Sequence, residues 1–375
     1  MEFFKPGLHI DFMKYRNPLV VGSLILVLAS FVSLFFPGPN FGIDFRGGTE
    51  LELKFKSSVG TERVRDTLMS MGYSRPDVVR VEGKANQYIV RVAEVSALPD
   101  SEVARIRSTL DGGLGEAKVE ELKVSPGGDA ISVRFTAPTD AVAVEQLLKS
   151  ASVSVRGVTI YGRAEDNRFE VSLAGIADEI VAGLQEKLGE QGPEAPLRVE
   201  WIGPKAGAQL RDSAIKAILY TLAFVMVYVA LRFDLRFAPG GVIALLHDAL
   251  ITMGAYVLLQ KEVTLATVAA ILTIVGFSIN DTIVIYDRIR ENMTRMRDSS
   301  MSELINISTS QTLGRTVVTS LTAMLSVGAY LVWGTPAIQD IAFALLVGFT
   351  VGVYSSVFIA APLTEWVDRR FFRRA

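Results

Sequence analysis

Six apolar stretches, each close to the length that crosses a membrane, decide what this chain can fold into. A helix needs about 20 consecutive apolar residues to span the hydrocarbon core. Pro18–Pro37, Ala214–Leu231, Gly241–Leu259, Thr264–Tyr286, Arg315–Trp333 and Ile341–Pro362 meet that requirement. Lipid offers no hydrogen bonds to a bare backbone, so such stretches predict transmembrane helices. Half of the 375 residues are hydrophobic, and the charges crowd into one long polar segment and a few short loops instead of spreading evenly. Lys5, Lys14 and Arg16 precede the first stretch, as they would a secretory signal. Its length, and Phe35-Phe36-Pro37 in place of a small-residue cleavage site, mark a retained anchor.

Orientation follows from the basic residues of the short loops. Lys5, Lys14, Arg16, Arg232, Arg236, Arg288, Arg290, Arg295, Arg297, Arg369, Arg370, Arg373 and Arg374 fall on one side. The short loops of the other side hold only Lys261, with Lys205, Arg211 and Lys216 near the second span as a minor exception. Both termini are therefore expected in the cytoplasm. Residues 1–17 form a cytoplasmic segment, 18–37 the first span, and 38–212 an external region. Residues 213–366 form the bundle of spans two to six, with a cytoplasmic loop at about 287–314, and 367–375 form a basic cytoplasmic tail.

The external region repeats itself with an offset of about 80 residues. Strand-like Thr49–Lys56, a helical period through Val64, Leu68 and Met71, two alternating stretches at Asp77–Gly83 and Gln87–Val95, a helix at Asp100–Leu114 and a strand at Val119–Val124 form one set. After Ser125-Pro126-Gly127-Gly128 the same order returns and ends on a strand at Leu197–Ile202. The expectation is an α+β region of two tandem ferredoxin-like βαββαβ units, about 49–124 and 129–203. The open face of each sheet is then a natural docking surface.

Enzyme chemistry finds no support. There is no cysteine and only His9 and His247 as histidines, which argues against a disulfide framework, a metal site or a catalytic histidine cluster. No cofactor is expected, and a net charge of −2 gives no hint of nucleic acid. Gly47-Gly48 could suggest a phosphate cradle, but the pair precedes a strand rather than a helix. A tight turn into the external region explains the two glycines better.

Ionisable groups inside spans cost about 2.5–3.5 kcal/mol each on insertion scales and are functional candidates by default. Three places qualify: His247-Asp248 in span three, Asn280-Asp281 in span four and Arg315 at the start of span five. At 1.5 Å per residue, Asp281 and Arg315 lie roughly 10 and 13 Å to the same side of their span centres, so they share a level and could pair. His247 lies nearer the centre and could continue a polar path outward. Blander readings compete: Arg315 snorkelling at a helix start, Asn280-Asp281 capping a surface helix, His247-Asp248 as an interhelical hydrogen-bonded pair. Titratable groups aligned across neighbouring spans are what a proton relay needs. Asp287–Asn292, of alternating charge, reads as a solvated helix or a cytoplasmic docking element.

At the ends of the external region stand Phe41-Gly42-Ile43-Asp44-Phe45-Arg46-Gly47-Gly48-Thr49 and Trp201-Ile202-Gly203-Pro204-Lys205-Ala206-Gly207. With Ala244–Asp248, Gly276–Asn292 and Arg315–Ser320 in spans three to five, they resemble the SecF family of bacterial protein-export membrane proteins. Six spans with one large loop after the first is also the half-unit plan of the resistance-nodulation-division (RND) transporters, to which that family is similar. The resemblance implies an accessory subunit in the bacterial plasma membrane, paired with SecD. It implies contact with the Sec translocon channel and with translocating preproteins, and use of the proton gradient for export. It places Asp281 and Arg315 in a proton pathway, with Asn280 in the same motif; His247 and Asp248 match a motif of less defined role. Asp44, Gly47, Gly48, Thr49, Gly203 and Pro204 carry the family signature outside the spans. The family usually has a single external βαββαβ unit, whereas two are expected here. An RND-type exporter of small molecules or lipids, and a translocon assembly factor that moves no protons, remain as alternatives.

Overall fold

The computed structural model describes residues 10–372, apart from 75, 82, 95–99 and 126–127. Lys5, His9, Arg373, Arg374 and the Pro126-Gly127 turn lie outside the described residues. Two compact units are present: Met1–Gly42 with Asp212–Ala375, and Ile43–Arg211.

Helix α1 (Arg16–Ser33) is polar on its protein side and apolar on its outer side. Ser23, Ser30 and Ser33 are buried, while Val21, Leu24, Ile25 and Leu28 are exposed. That is the reverse of a soluble amphipathic helix, and it suits lipid as the outer solvent. Strand β1 (Asn40–Phe41) follows.

The second unit opens with a short helix α2 (Ile43–Arg46). Then come β2 (Gly48–Lys54), α3 (Thr61–Ser70), β3 (Asp77–Arg80), β4 (Gln87–Val92), α4 (Asp100–Gly113) and β5 (Val119–Val124). The repeat supplies β6 (Ala130–Phe135), α5 (Ala141–Ser150), β7 (Val155–Ile160), β8 (Arg168–Leu173), α6 (Ile176–Leu188) and β9 (Arg198–Ile202). Element types follow the sequence pattern: β4, β6 and β8 alternate half-exposed and buried residues along their whole length.

The partners do not follow it. One four-stranded antiparallel sheet has the order β3-β4-β2-β9, the other β5-β6-β8-β7. Strand β9, from the second repeat, pairs with β2 of the first, and β5 of the first pairs with β6 of the second. The helices go with their strands. Ile176, Ile180 and Leu184 of α6 pack against Leu51, Leu53 and Leu68, and Ile106 and Leu110 of α4 pack against Ile131, Val133 and Val144. The tandem units expected at 49–124 and 129–203 are thus corrected. Each βαββ core takes the αβ arm of the other repeat, and β5 and β6, which flank residues 125–128, are partners in one sheet. The two arms carry the same periodicity and satisfy the same edge, so pattern alone does not decide which arm closes which sheet. On β2, Glu50 holds the outcome in register, bonded to Arg91 Nε on β4 at 2.7 Å and to Arg198 Nη2 on β9 at 2.9 Å. The fragment Asp100–Leu173, which contains one complete sheet and both of its helices, is expected to fold alone with a cooperative thermal melt by circular dichroism. The fragment 129–203, with a bare sheet edge and an unpartnered αβ arm, is expected to show none; equal melts would refute the exchange.

The chain returns to the membrane unit through α7 (Pro204–Arg232) and α8 (Ala238–Leu258), then strand β10 (Glu262–Val263). Next come α9 (Leu265–Arg295), α10 (Met301–Trp333) and α11 (Pro336–Ser355). A π-helical turn at Ser356–Ala360 joins α11 to α12 (Ala361–Val367). Among the described residues, six helical segments are long and apolar enough to cross a membrane: Met13–Ser33, Lys205–Arg232, Ala238–Leu258, Leu265–Arg295, Met301–Trp333 and Ala337–Phe372. Half of the apolar window is buried in α8 and in α9, against 11% in α7 and α10, so α8 and α9 lie at the centre and α7 and α10 at the periphery. Close approach at the centre rests on glycine. A Cβ on Gly240 would sit 2.6 Å from both the Ala360 carbonyl and the Tyr286 hydroxyl oxygen. Strand β1 pairs in parallel with β10, Asn40 opposite Glu262, which puts the loop after span one beside the loop between spans three and four. The loop expected at 287–314 shrinks to residues 296–300, because α9 runs on to Arg295 and α10 starts at Met301. Ser300 caps α10 by accepting the Glu303 amide, and Leu304 and Ile305 are buried, so an amphipathic surface turn continues straight into the span.

Candidate functional site

Among the described residues, two polar clusters in the spans contain the candidate carboxylates Asp248 and Asp281. The first centres on Asp248, which has no exposed surface. Its Oδ1 lies 2.9 Å from Nδ1 of His247, and its Oδ2 accepts hydrogen bonds from Ser278 on α9 at 2.6 Å and Ser355 on α11 at 2.8 Å. Gly352 opens the space: a Cβ there would lie 3.1 Å from the Ser278 Cβ. His247 stacks on Tyr354, whose hydroxyl reaches Ser23 and the Leu19 carbonyl on α1. One carboxylate therefore ties together three spans directly and a fourth through a ring. The π-helical turn begins at the next residue, where Ser356 shares a 2.8 Å hydrogen bond with Thr282.

The second cluster centres on Asp281, only 2% exposed on α9. Its Oδ2 accepts from Ser320 Oγ of α10 at 3.2 Å. Arg315 is not there: among the described residues it makes no ion pair, and it is exposed. Five residues separate it from Ser320, a rise of about 7.5 Å along the helix. It lines a cavity of about 410 Å³ with Val284, Asp287, Arg288, Glu291, Gln311 and Thr312. The expected Asp281–Arg315 level is thus corrected. Counting depth from span centres assumes that neighbouring centres are level, and α10 starts fourteen residues before Arg315. Asn280 is exposed and shares neither cluster. Ser278, Ser320, Ser355 and Ser356 went unnoticed in the sequence because hydroxyls are ordinary in apolar spans. The adjacent pair Ser355-Ser356, two places after Gly352-Val353, is the signal that could have found the first cluster.

The external motifs meet as well. Gly47 and Gly48 both have positive φ, 76° and 130°, and open β2, so the turn reading holds and the phosphate cradle does not. Ile202 pairs with Gly48 and Trp201 with Thr49, while a Cβ on Gly207 would come within 3.0 Å of the Gly47 nitrogen. Thr49 Oγ1 donates to the Glu94 carbonyl at 2.9 Å, and Asp44 sits in α2 just before the turn. Gly203-Pro204 starts α7, where a proline loses no hydrogen bond. These residues thus form a packing joint, and among the described residues no group of acidic or histidine side chains could hold a metal.

The SecD/SecF C-terminal model of protein-export membrane proteins matches residues 185–370, and the SecD/SecF GG motif matches residues 32–59. The chain is 34% identical over 369 residues to the protein translocase subunit SecF of Magnetococcus marinus, covering 98% of this chain and 95% of that one. The chain belongs to the SecF family. The SecF of Vibrio alginolyticus is 31% identical over 362 residues, covering 96% of this chain and 91% of the relative. The crystal structure of SecDF, a translocon-associated membrane protein from Thermus thermophilus, superposes with a TM-score of 0.65 and 27% identity. That match covers 98% of this chain but 40% of the SecDF chain, so the SecF family chain spans two-fifths of the fused protein. His247, Asp248, Asp281 and Arg315 fall within the matched residues 185–370, and Asp44, Gly47, Gly48 and Thr49 within 32–59.

Proposed function

We propose that the chain works with SecD as an accessory subunit of the Sec translocase, using the proton gradient to promote export of preproteins on the far side of the bacterial plasma membrane. The observation that carries this reading is Asp281: a carboxylate buried in a membrane span, whose hydrogen-bond partner is a hydroxyl and not a cation. Such a group is expensive to keep in a membrane and is a functional candidate for that reason. Arg315, one to two turns away on a polar cavity, can bias its protonation by approaching or withdrawing. The excess of basic residues in one set of short loops supports a reading with the cavity-lining residues and both termini in the cytoplasm and residues 43–211 outside. SecD as partner follows from the fused relative, and contact with the channel and with emerging preproteins follows from the reading itself.

Inverted membrane vesicles carrying the channel, SecD and this chain test the proposal. The expected result is export stimulated by the pair, with the stimulation lost on adding an uncoupler. Single cysteines at Ser172 and Ser300, in a chain with none of its own, report sidedness in the same vesicles. Ser300 reacts with an impermeant reagent and Ser172 does not. Stimulation that survives the uncoupler makes the chain an assembly factor, and labelling at Ser172 alone inverts the orientation.

A further inference from the structure

We infer that a row of hydroxyls on α10 is the route by which the Asp281 proton reaches the polar cavity, and that Thr316 is its required link. The inference rests on the proposed role of Asp281. Four hydroxyl residues recur every fourth position on one buried face of α10: Ser308, Thr312, Thr316 and Ser320. A spacing of four stacks side chains above one another along a helix.

The row has two defined ends. At one, Ser320 donates to Asp281; the next position, Met324, is apolar, so the row stops at the level of the carboxylate. At the other, Thr312 lines the cavity with Asp287, Arg288, Glu291 and Arg315, and Ser308 accepts from Asn292 at 2.9 Å. Thr312 returns its own hydroxyl to the Ser308 carbonyl, as helical threonines commonly do.

Thr316 breaks that habit. Its residue is 3% exposed and its Oγ1 is buried with no hydrogen-bond partner among the described residues. A buried hydroxyl left unpaired is costly, and its presence calls for a reason. On α9, Val284, which lines the cavity, and Ile285, one turn after Asp281, offer no polar atom on their side chains. Thr316 is thus the buried hydroxyl between Ser320 and Thr312 on α10. Steps of four residues are about 6 Å along the axis, the reach of two hydroxyls bridged by one water.

The transfer balances without an ion on the hydroxyls. As the Asp281 carboxyl gives its proton to the Ser320 oxygen, Ser320 releases its own to a bridging water, and Thr316 repeats the exchange toward Thr312 and the cavity. Each hydroxyl ends as it began, rotated. Asp281 is left ionised, and the proton leaves on cavity water.

The test uses the full chain with SecD and the channel in inverted vesicles, with proton flux read by a pH-sensitive dye beside export. Thr316→Val is isosteric and lacks only the hydroxyl; Thr316→Ser keeps it. The expected result is a fall of about tenfold or more in flux and in gradient-dependent export for Val, with Ser within about twofold of the parent. A merely structural role gives the opposite order, since Val fills the site and Ser leaves a gap. Equal flux in Val and parent overturns the relay. If Val fails to co-purify with SecD, Thr316→Ala replaces it against the same Ser control. Asp281→Asn runs alongside: if it keeps full stimulation, the proposed function itself fails, whereas loss in Asp281→Asn with full activity in Thr316→Val removes the relay alone.

Discussion

Asp248→Leu is expected to prevent the membrane unit from accumulating as a folded, monodisperse protein. The carboxylate is fully buried and serves three donors on three helices: His247, Ser278 and Ser355. Leucine leaves His247 and Ser278 without an acceptor, at about 1–3 kcal/mol for each buried group, and leaves Ser355 only the Gly352 carbonyl. It also adds bulk where Gly352 keeps the helices close. The sum is comparable to the whole stability of an ordinary domain, about 5–15 kcal/mol. Asp248→Asn keeps an acceptor oxygen and adds an amide to which a serine hydroxyl can rotate and accept. Its cost should stay near 1 kcal/mol, or a few degrees in thermal midpoint. Thermal unfolding in detergent, followed by tryptophan fluorescence, separates the two. A Leu variant as stable as Asn would mean that Asp248 is not a structural hub.

The spans were legible because lipid imposes one strict demand, a long apolar run, and six such runs stand out against a charged background. The helix and strand types outside were legible for a similar reason: periods of 2 and 3.6 survive in any context. Pairing was not. Strand β5 and strand β9 are equally good edges for β2 or β6, and only cross-strand contacts such as Glu50 with Arg198 distinguish them in the folded chain. At the site, the titratable groups announced themselves because charge is rare in a membrane. Their neighbours did not. Ser320 and Thr316 look like any other hydroxyls in an apolar helix, and the offset between α9 and α10 depends on where α10 begins. Arg315 was therefore placed beside Asp281 by counting, when the folded chain puts Ser320 there.

The largest functional effect is expected from Asp281→Asn. The substitution keeps size and hydrogen bonding to Ser320 and removes the proton. One charge crossing 100 mV releases about 2.3 kcal/mol, enough to shift a two-state equilibrium about 50-fold. If Asp281 is where that energy enters, the variant should assemble with SecD as the parent does and show none of the gradient-dependent stimulation of export. The most direct measurement is infrared difference spectroscopy of the SecD complex in sealed vesicles as the pH gradient is imposed and released. The account predicts a protonated-carboxyl C=O band that appears and disappears with the gradient in the parent chain and is missing from Asp281→Asn. A band that persists unchanged in Asp281→Asn would place the proton on another group and contradict the account.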